Sequence, residues 1–166
     1  MSTLLYLLGT AVLILLNAFF VASEFAIVKI RPTRLEQLVQ QGDGRARLAL
    51  RITQRLDQYL SANQLGITLA SLALGWIGEP AIAHVIEPHL GWLGRGTTFG
   101  AHAISVTIAF FIITTLHTVI GEQAPKLLAI QKTEKVTLLA IRPLHAFFLI
   151  AWPAIWFLNT LANGFV

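Results

Sequence analysis

The chain contains three apolar runs, each about as long as a bilayer is thick and each carrying at most one charged residue. They cover about residues 4–28, 58–77 and 98–124. A helix needs roughly 20 apolar residues to cross a bilayer, and an open chain can satisfy its backbone there only as a helix. Charged residues make up 12% of the chain, against about 25% in soluble domains. The pattern predicts an all-α integral membrane protein with three transmembrane helices in a single domain, residues 1–166.

Basic residues are concentrated on one side of the predicted spans. Seven Lys and Arg fall between Lys29 and Arg55, four fall between Lys126 and Arg142, and Arg95 alone lies in the remaining connection. The positive-inside rule then predicts an outside N-terminus and a cytoplasmic C-terminus. This placement of charge favours membrane topology, and not nucleic-acid binding, as the reason for the net charge of +4.

A segment over about residues 33–56 is predicted to form cytoplasmic juxtamembrane helices. Thr33 and Glu36 have the spacing of a capping box, which predicts the start of the first helix. Gly42-Asp43-Gly44 predicts a break, and the basic helix that follows suits the acidic inner leaflet.

The second juxtamembrane segment, over about residues 133–163, has two interpretations. It is apolar enough to be a fourth span, but Pro143 and Pro153 predict interruptions that leave pieces shorter than a bilayer. Trp152 and Trp156 are typical of a membrane interface. Helices lying on the cytoplasmic surface are the favoured interpretation.

The stretch Ile120–Lys126, with sequence IGEQAPK, indicates a cation site at the end of the third span. Glu122 is a carboxylate at the membrane edge, where an unpaired charge is costly and usually functional. Pro125 removes the hydrogen bond to the carbonyl of Gly121, so a broken helix over Gly121–Pro125 would offer two hard oxygens. The alternative is a kinked helix in which Glu122 pairs with Lys126.

Polar side chains also form a stripe on each span. The second and third spans repeat them at helical spacing, and the first contributes Asn17 and Glu24; the repeated positions are Gln64, Thr68, Ser71, Gly75, Thr107, Thr114, Thr118 and Glu122. Facing stripes would form a hydrophilic passage, although small residues also serve ordinary helix packing. Oxygen ligands without thiols favour magnesium, calcium or sodium.

Other chemistry is weakly represented. There is no cysteine, which excludes disulfides and thiolate metal sites. No Gly-x-Ser-x-Gly elbow is present, so the chain is not expected to be an enzyme. His117 lies close to Glu122 in sequence, but a lone membrane histidine is more often a packing or hydrogen-bonding residue than a metal ligand. Gly78-Glu79-Pro80 predicts the end of the second span.

Three segments resemble the transmembrane domain of the CNNM/CorC magnesium transporters. They are Asn17–Glu36, Leu65–Ser71 with Gly78-Glu79-Pro80, and Leu116–Lys126. The resemblance implies a multi-pass protein of the cell (inner) membrane that forms a homodimer in the lipid bilayer. It further implies that each subunit binds magnesium through oxygens from all three helices and exports it, with sodium as the proposed coupling ion.

Carried over by position, the metal ligands are Ser23, Ser71, Gly121 and Glu122, with Asn63 and Glu24 next. Many relatives have serine where Val21 stands, and asparagine near Ser71, which puts the ligands from the first two helices in question. Family members usually continue into cytosolic CBS domains that bind nucleotide. This sequence does not contain them, so ATP is expected to act only through domains outside it.

Two functions from different classes remain open at this stage. One is a magnesium transporter domain. The other is a membrane anchor or dimerisation scaffold whose polar residues only mediate packing. Stabilisation by bound ion would separate them, because a ligand that binds the folded state raises its stability.

Overall fold

The computed structural model describes residues 2–86, 88 and 98–164, and every regular element within them is helical. The elements are α1 (Ser2–Lys29), α2 (Pro32–Gln40), α3 (Gly44–Thr53), α4 (Leu56–Ile86), α5 (Thr98–Leu116), a π-helical segment (His117–Gln123), α6 (Ala124–Gln131) and α7 (Thr133–Asn163). The all-α prediction is confirmed. Arg95, the basic residue assigned to the outer side, lies outside the described residues.

Helices α1 and α4 pack antiparallel in a register set by three contacts. Thr10 lies against Gly78, and Asn17 bonds to Ser71. Nearer the end of α1, the ring of Phe20 comes within 2.6 Å of where a Cβ at Gly66 would be, so only glycine fits there. In each contact the two residue numbers sum to 86 or 88, as expected for two antiparallel helices in one register. Ser23 of α1 and Asn63 of α4 also sum to 86, so they lie level with each other.

Helices α2 and α3 form a hairpin beside the end of α1. Gly42 turns the chain with a φ of +90°, and Asp43 caps α3 by accepting a hydrogen bond from the backbone N–H of Arg45 at 2.8 Å. Hydrogen bonds from the Arg45 side chain and backbone hold the pKa of Asp43 below its ordinary value. The predicted cap at Thr33 is wrong, because α2 already begins at Pro32, with Arg31 extended before it.

Helix α4 ends at Ile86, nine residues beyond the predicted end of the second span at residue 77. It continues through Pro80 to Ile86, so the predicted stop at Gly78-Glu79-Pro80 is wrong. Proline removes one backbone hydrogen bond, but packing holds the helix on either side of it. Gly78 is buried against Ile113 and Thr10, and Ala81 is buried one turn later.

Helix α7 is also unbroken. It passes through Pro143 and Pro153, so the prediction that these prolines divide it is wrong. The described residues therefore contain four helices long and apolar enough to cross a membrane, Leu4–Lys29, Leu56–Ile86, Ala103–Gln131 and Thr133–Leu161. They fit a multi-pass membrane protein. The predicted count of three spans is not confirmed.

The path of α7 differs from that of the other long helices. Tyr59 of α4 shares a hydrogen bond with His145 at 2.7 Å, and Ser61 donates to Asn159 at 2.9 Å. The two α7 residues are about 21 Å apart along the helix axis, whereas the two α4 residues are about 3 Å apart along theirs. Because both contacts form, α7 passes across the start of α4 and does not run beside it. Its first turn is tied to α2 by an Arg34–Glu134 ion pair of 2.8 Å.

Candidate cation site between α1, α4 and the π-helical segment

The third long helix is rewound, not broken, at the predicted site. The chain stays helical from Thr98 to Gln131, and His117–Gln123 forms the π-helical segment, in which the Ala124 N–H bonds to the Val119 carbonyl five residues back. The prediction of a broken helix over Gly121–Pro125 is therefore wrong in its form. Pro125, which cannot donate to Gly121, follows directly, and short π segments occur frequently at functional sites.

Asn17 connects α1 to this segment. Its side chain is completely buried, and its Nδ2 donates to the Gly121 carbonyl at 3.1 Å. Its Oδ1 accepts from the hydroxyl of Ser71 on α4 at 3.2 Å. Gly121 allows this close approach, because a Cβ there would lie 3.0 Å from the His117 ring and 3.3 Å from the Asn17 amide, so both side chains would have to shift. One amide thus joins three parts of the fold.

His117 and Glu122 complete the cluster. Nε2 of His117 lies 3.3 Å from the Ser71 hydroxyl and 3.7 Å from a carboxylate oxygen of Glu122. In an α-helix, two residues five positions apart point about 140° away from each other. In a π-helix, with i→i+5 hydrogen bonds, they point toward nearly the same face. The π-helical segment is therefore the reason these two side chains meet.

The alternative pairing of Glu122 with Lys126 does not occur. The Lys126 ammonium lies over the ring of Phe25, 4.7 Å from its centre. The Glu122 side chain is 45% exposed, so its carboxylate opens to the surroundings of the helix and is not sealed inside the bundle. Glu122 is thus available to a ligand on its open side.

The six predicted metal ligands fall into two groups. Ser71, Gly121 and Glu122 belong to the cluster around Asn17. Ser23, Glu24 and Asn63 make no hydrogen bond to that cluster among the described residues. Ser23 is buried and donates to the Phe19 carbonyl at 2.7 Å, and Glu24 is half-buried. Ser23 lies six residues from Asn17, or about 9 Å along α1.

Asn63 has an unusual environment. It is completely buried, and neither its amide nitrogen nor its amide oxygen has a hydrogen-bond partner in the described part of the chain. An unsatisfied buried polar group costs about 1–3 kcal/mol. Because Asn63 lies level with Ser23, these two residues form a second polar position between α1 and α4.

Sequence reasoning left Asn17 and His117 out of the ligand set. Asn17 was visible as an amide within an apolar run, but its partner lies on a different helix. His117 is four residues before Gly121, and the sequence predicts for it only a packing or hydrogen-bonding role, which fits its contact with Ser71. The signal that could have found it was the proline at 125, which favours rewinding of the turn before it.

The donor set is chemically specific. No group of three His, Asp or Glu side chains close enough to hold a metal occurs within the described ranges. The cluster instead offers a hydroxyl, an amide oxygen, a backbone carbonyl and one carboxylate, together with one imidazole. These are mainly hard oxygen donors, which suit magnesium, calcium or sodium better than soft metals.

Comparison with known proteins agrees with this architecture. Residues 8–166 match the family described as the cyclin M transmembrane N-terminal domain. The chain is 53% identical over 148 residues to the UPF0053 protein YhdT of Bacillus subtilis, covering 89% of this chain and 32% of that protein. It is 45% identical over 164 residues to the UPF0053 protein YrkA of the same organism, covering 99% and 38%.

A more distant relative has the same extent of match. The uncharacterized protein Rv1841c of Mycobacterium tuberculosis is 35% identical over 164 residues, which cover 99% of this chain and 46% of that protein. The chain therefore spans between about a third and a half of the length of these relatives.

Proposed function

The chain belongs to the family of cyclin M transmembrane N-terminal domains, and on that premise we propose that it binds magnesium within the membrane and transports it. The observation that carries the proposal is a cluster from three parts of the fold, in which Asn17 joins Ser71 to the Gly121 carbonyl and His117 links Ser71 to Glu122. A purely structural cluster has no need of a carboxylate that is half open on one side.

The residues have distinct roles in this proposal. Glu122 supplies the negative charge that offsets the ion, and Ser71 and the Gly121 carbonyl supply neutral oxygens. Neutral ligands matter because each additional buried charge is costly where water is scarce. Asn17 orients the Gly121 carbonyl and the Ser71 hydroxyl together, so we assign it a positioning role.

Ser23, Asn63 and Glu24 form the second part of the proposed pathway. Asn63 brings two unpartnered amide atoms level with Ser23, and Glu24 follows Ser23 on α1. An ion that gives up water reluctantly needs such successive polar positions. Export as the direction, sodium as the coupling ion and an inner-membrane location complete the proposal and rest on the family resemblance.

For topology we propose three spans, with α7 on the cytoplasmic face. The crossing of α7 over the start of α4 supports this arrangement, as does the Arg34–Glu134 ion pair at its first turn. A helix that passes across the start of α4 does not follow α4 through the bilayer. The N-terminus is then outside and the C-terminus cytoplasmic.

We also propose a homodimer. Gly75 on α4 is exposed, and a Cβ there would meet nothing within 4 Å in the chain itself. A glycine inside a helix costs roughly 0.5–1 kcal/mol relative to alanine, so an exposed one suits close approach of another helix.

Magnesium titration of the purified chain tests the function. A ligand present at 100 times its dissociation constant stabilises the folded state by about 2.7 kcal/mol, so the unfolding temperature should rise with magnesium and saturate. The competing function, a membrane anchor whose polar cluster only packs helices, predicts no dependence beyond that of matched ionic strength. Calcium and sodium titrations measure selectivity.

A further inference from the structure

A second feature of the molecule is an apolar groove of about 700 Å³. It lies between α1, the region around Pro125 and the first half of α7. All of its walls are apolar and include Ala18, Ala22, Ile120, Pro125, Leu139 and Pro143. Its size lies within the range of about 300–1,000 Å³ that is typical of sites for small apolar ligands.

Two cations flank the groove on α7. Lys135 lies four residues before Leu139 and Arg142 lies three after it, so all three share one helix face. Leu139 is 78% exposed, and both cations are exposed. Neither cation forms an ion pair with any residue that the structure describes. The nearby Glu134 is already paired with Arg34.

We infer that the groove binds an anionic phospholipid, with an acyl chain between α1 and α7 and its phosphate held by Lys135 and Arg142. An apolar slot beside two unpaired cations is complementary to a lipid that has an apolar chain and a negative headgroup. Basic residues near the membrane surface attract such lipids electrostatically. The inference uses the membrane location of the chain but not the magnesium site.

A second copy of the chain is a poorer occupant. In a two-fold dimer the same patch faces itself, so Lys135 and Arg142 of both copies would meet. Four cations would then share one surface without an acidic partner, and like charges at an interface are costly. The lipid removes that cost because its phosphate supplies the missing negative charge.

The first test measures lipid affinity of the purified full chain by native mass spectrometry without magnesium. The probes are phosphatidylglycerol and phosphatidylcholine with identical acyl chains. The double variant Lys135→Gln/Arg142→Gln should weaken phosphatidylglycerol binding roughly thirtyfold, from about fivefold for each basic residue near the surface. The control Arg47→Gln/Arg51→Gln on α3 removes the same charge from exposed positions outside the groove, so it reports only the general attraction of basic residues to an anionic lipid and should weaken binding several times less than the groove variant.

The second test fills the groove. Ala22→Phe should reduce binding of both lipids at least tenfold, while Leu72→Phe, at an exposed position on α4 outside the groove, should not. The inference would be overturned if the natural chain bound phosphatidylglycerol and phosphatidylcholine equally. It would also be overturned if Lys135→Gln/Arg142→Gln bound phosphatidylglycerol as tightly as the natural chain does. Loss of the dimer in Ala22→Phe with unchanged lipid binding would overturn it too, because the groove would then be a protein interface.

Discussion

The side-chain amide of Asn17 lies 3.1 Å from the backbone carbonyl of Gly121 and joins residues 104 positions apart in the chain. The contact is possible because Asn17 is completely buried and Gly121 has no side chain. It fixes how α1 meets the π-helical segment, and it sets the orientation of a carbonyl that we propose as a magnesium ligand.

Replacing Asn17 tests its positioning role. Asn17→Ala leaves the Gly121 carbonyl and the Ser71 hydroxyl without this partner, so it should lower the free energy of unfolding by about 1–3 kcal/mol and weaken magnesium binding. The control is Asn159→Ala, which removes a hydrogen bond to Ser61 far from the site. It should lower stability without affecting magnesium. Thermal unfolding and calorimetric titration measure both quantities, and unchanged affinity in Asn17→Ala would contradict the role.

Glu122→Gln preserves the size of the side chain and one oxygen but removes the charge. We expect it to abolish magnesium binding and to preserve the dimer, since the amide cannot offset a divalent ion in a poorly solvated site. Glu134→Gln is the matched control, because that glutamate has a similar side-chain exposure, 40%, and is paired with Arg34 away from the cluster. An unchanged magnesium affinity in Glu122→Gln would mean that Glu122 serves only to pair with His117.

Pro125→Ala restores a backbone N–H four residues after Gly121. The helix can then bond the Gly121 carbonyl and relax toward α-helical winding, which should weaken magnesium binding roughly two- to tenfold, the equivalent of one hydrogen bond. Pro153→Ala makes the same change within α7 and outside the groove, so its magnesium affinity should stay that of the natural chain. Equal affinities in the two variants would show that the proline does not shape the site.

Accessibility tags test the topology. Tags at Met1 and Arg95 should be reached from outside the cell, and tags at Gly42 and Val166 only after the membrane is opened. The basis is the concentration of basic residues in two cytoplasmic segments. A tag at Val166 that is reached from outside would make α7 a fourth span.

Gly75→Leu tests the dimer. The larger side chain points away from the rest of its own chain, so the fold should survive while the subunits separate in detergent. Gly9→Leu on α1 is the control and should leave the dimer intact. A Cβ there also meets nothing within 4 Å, so the two substitutions are matched. Light scattering measures the mass of both variants. A natural chain that is monomeric and still binds magnesium would contradict the dimer.

The sequence identified what local chemistry determines. Apolar length alone predicted α1, and the rule for proline indicated irregular helical geometry at Gly121 and Glu122, where the chain is π-helical. The same rule was wrong at Pro80 and Pro143, where packing against neighbouring helices outweighs one lost hydrogen bond.

Contacts between helices were beyond the sequence. The role of Asn17 depends on a carbonyl on another helix, and the role of His117 depends on winding that no spacing rule for α-helices describes. The path of α7 likewise follows from pairs such as Tyr59–His145, whose members are 86 positions apart. Such pairs are determined by the folded arrangement and not by local pattern.

The π-helical segment gives the third membrane helix an internal freedom that a regular helix lacks. It holds one residue more than α-helical winding would need, and rewinding it rotates the part beyond it by about 100°. That rotation separates His117 from Glu122 and carries the carboxylate away from Ser71. Exchange of a few hydrogen bonds within His117–Gln123, together with repacking of the buried Pro125 and Ala129 of α6, would therefore turn the Glu122 carboxylate toward another side of the bundle without unfolding the span.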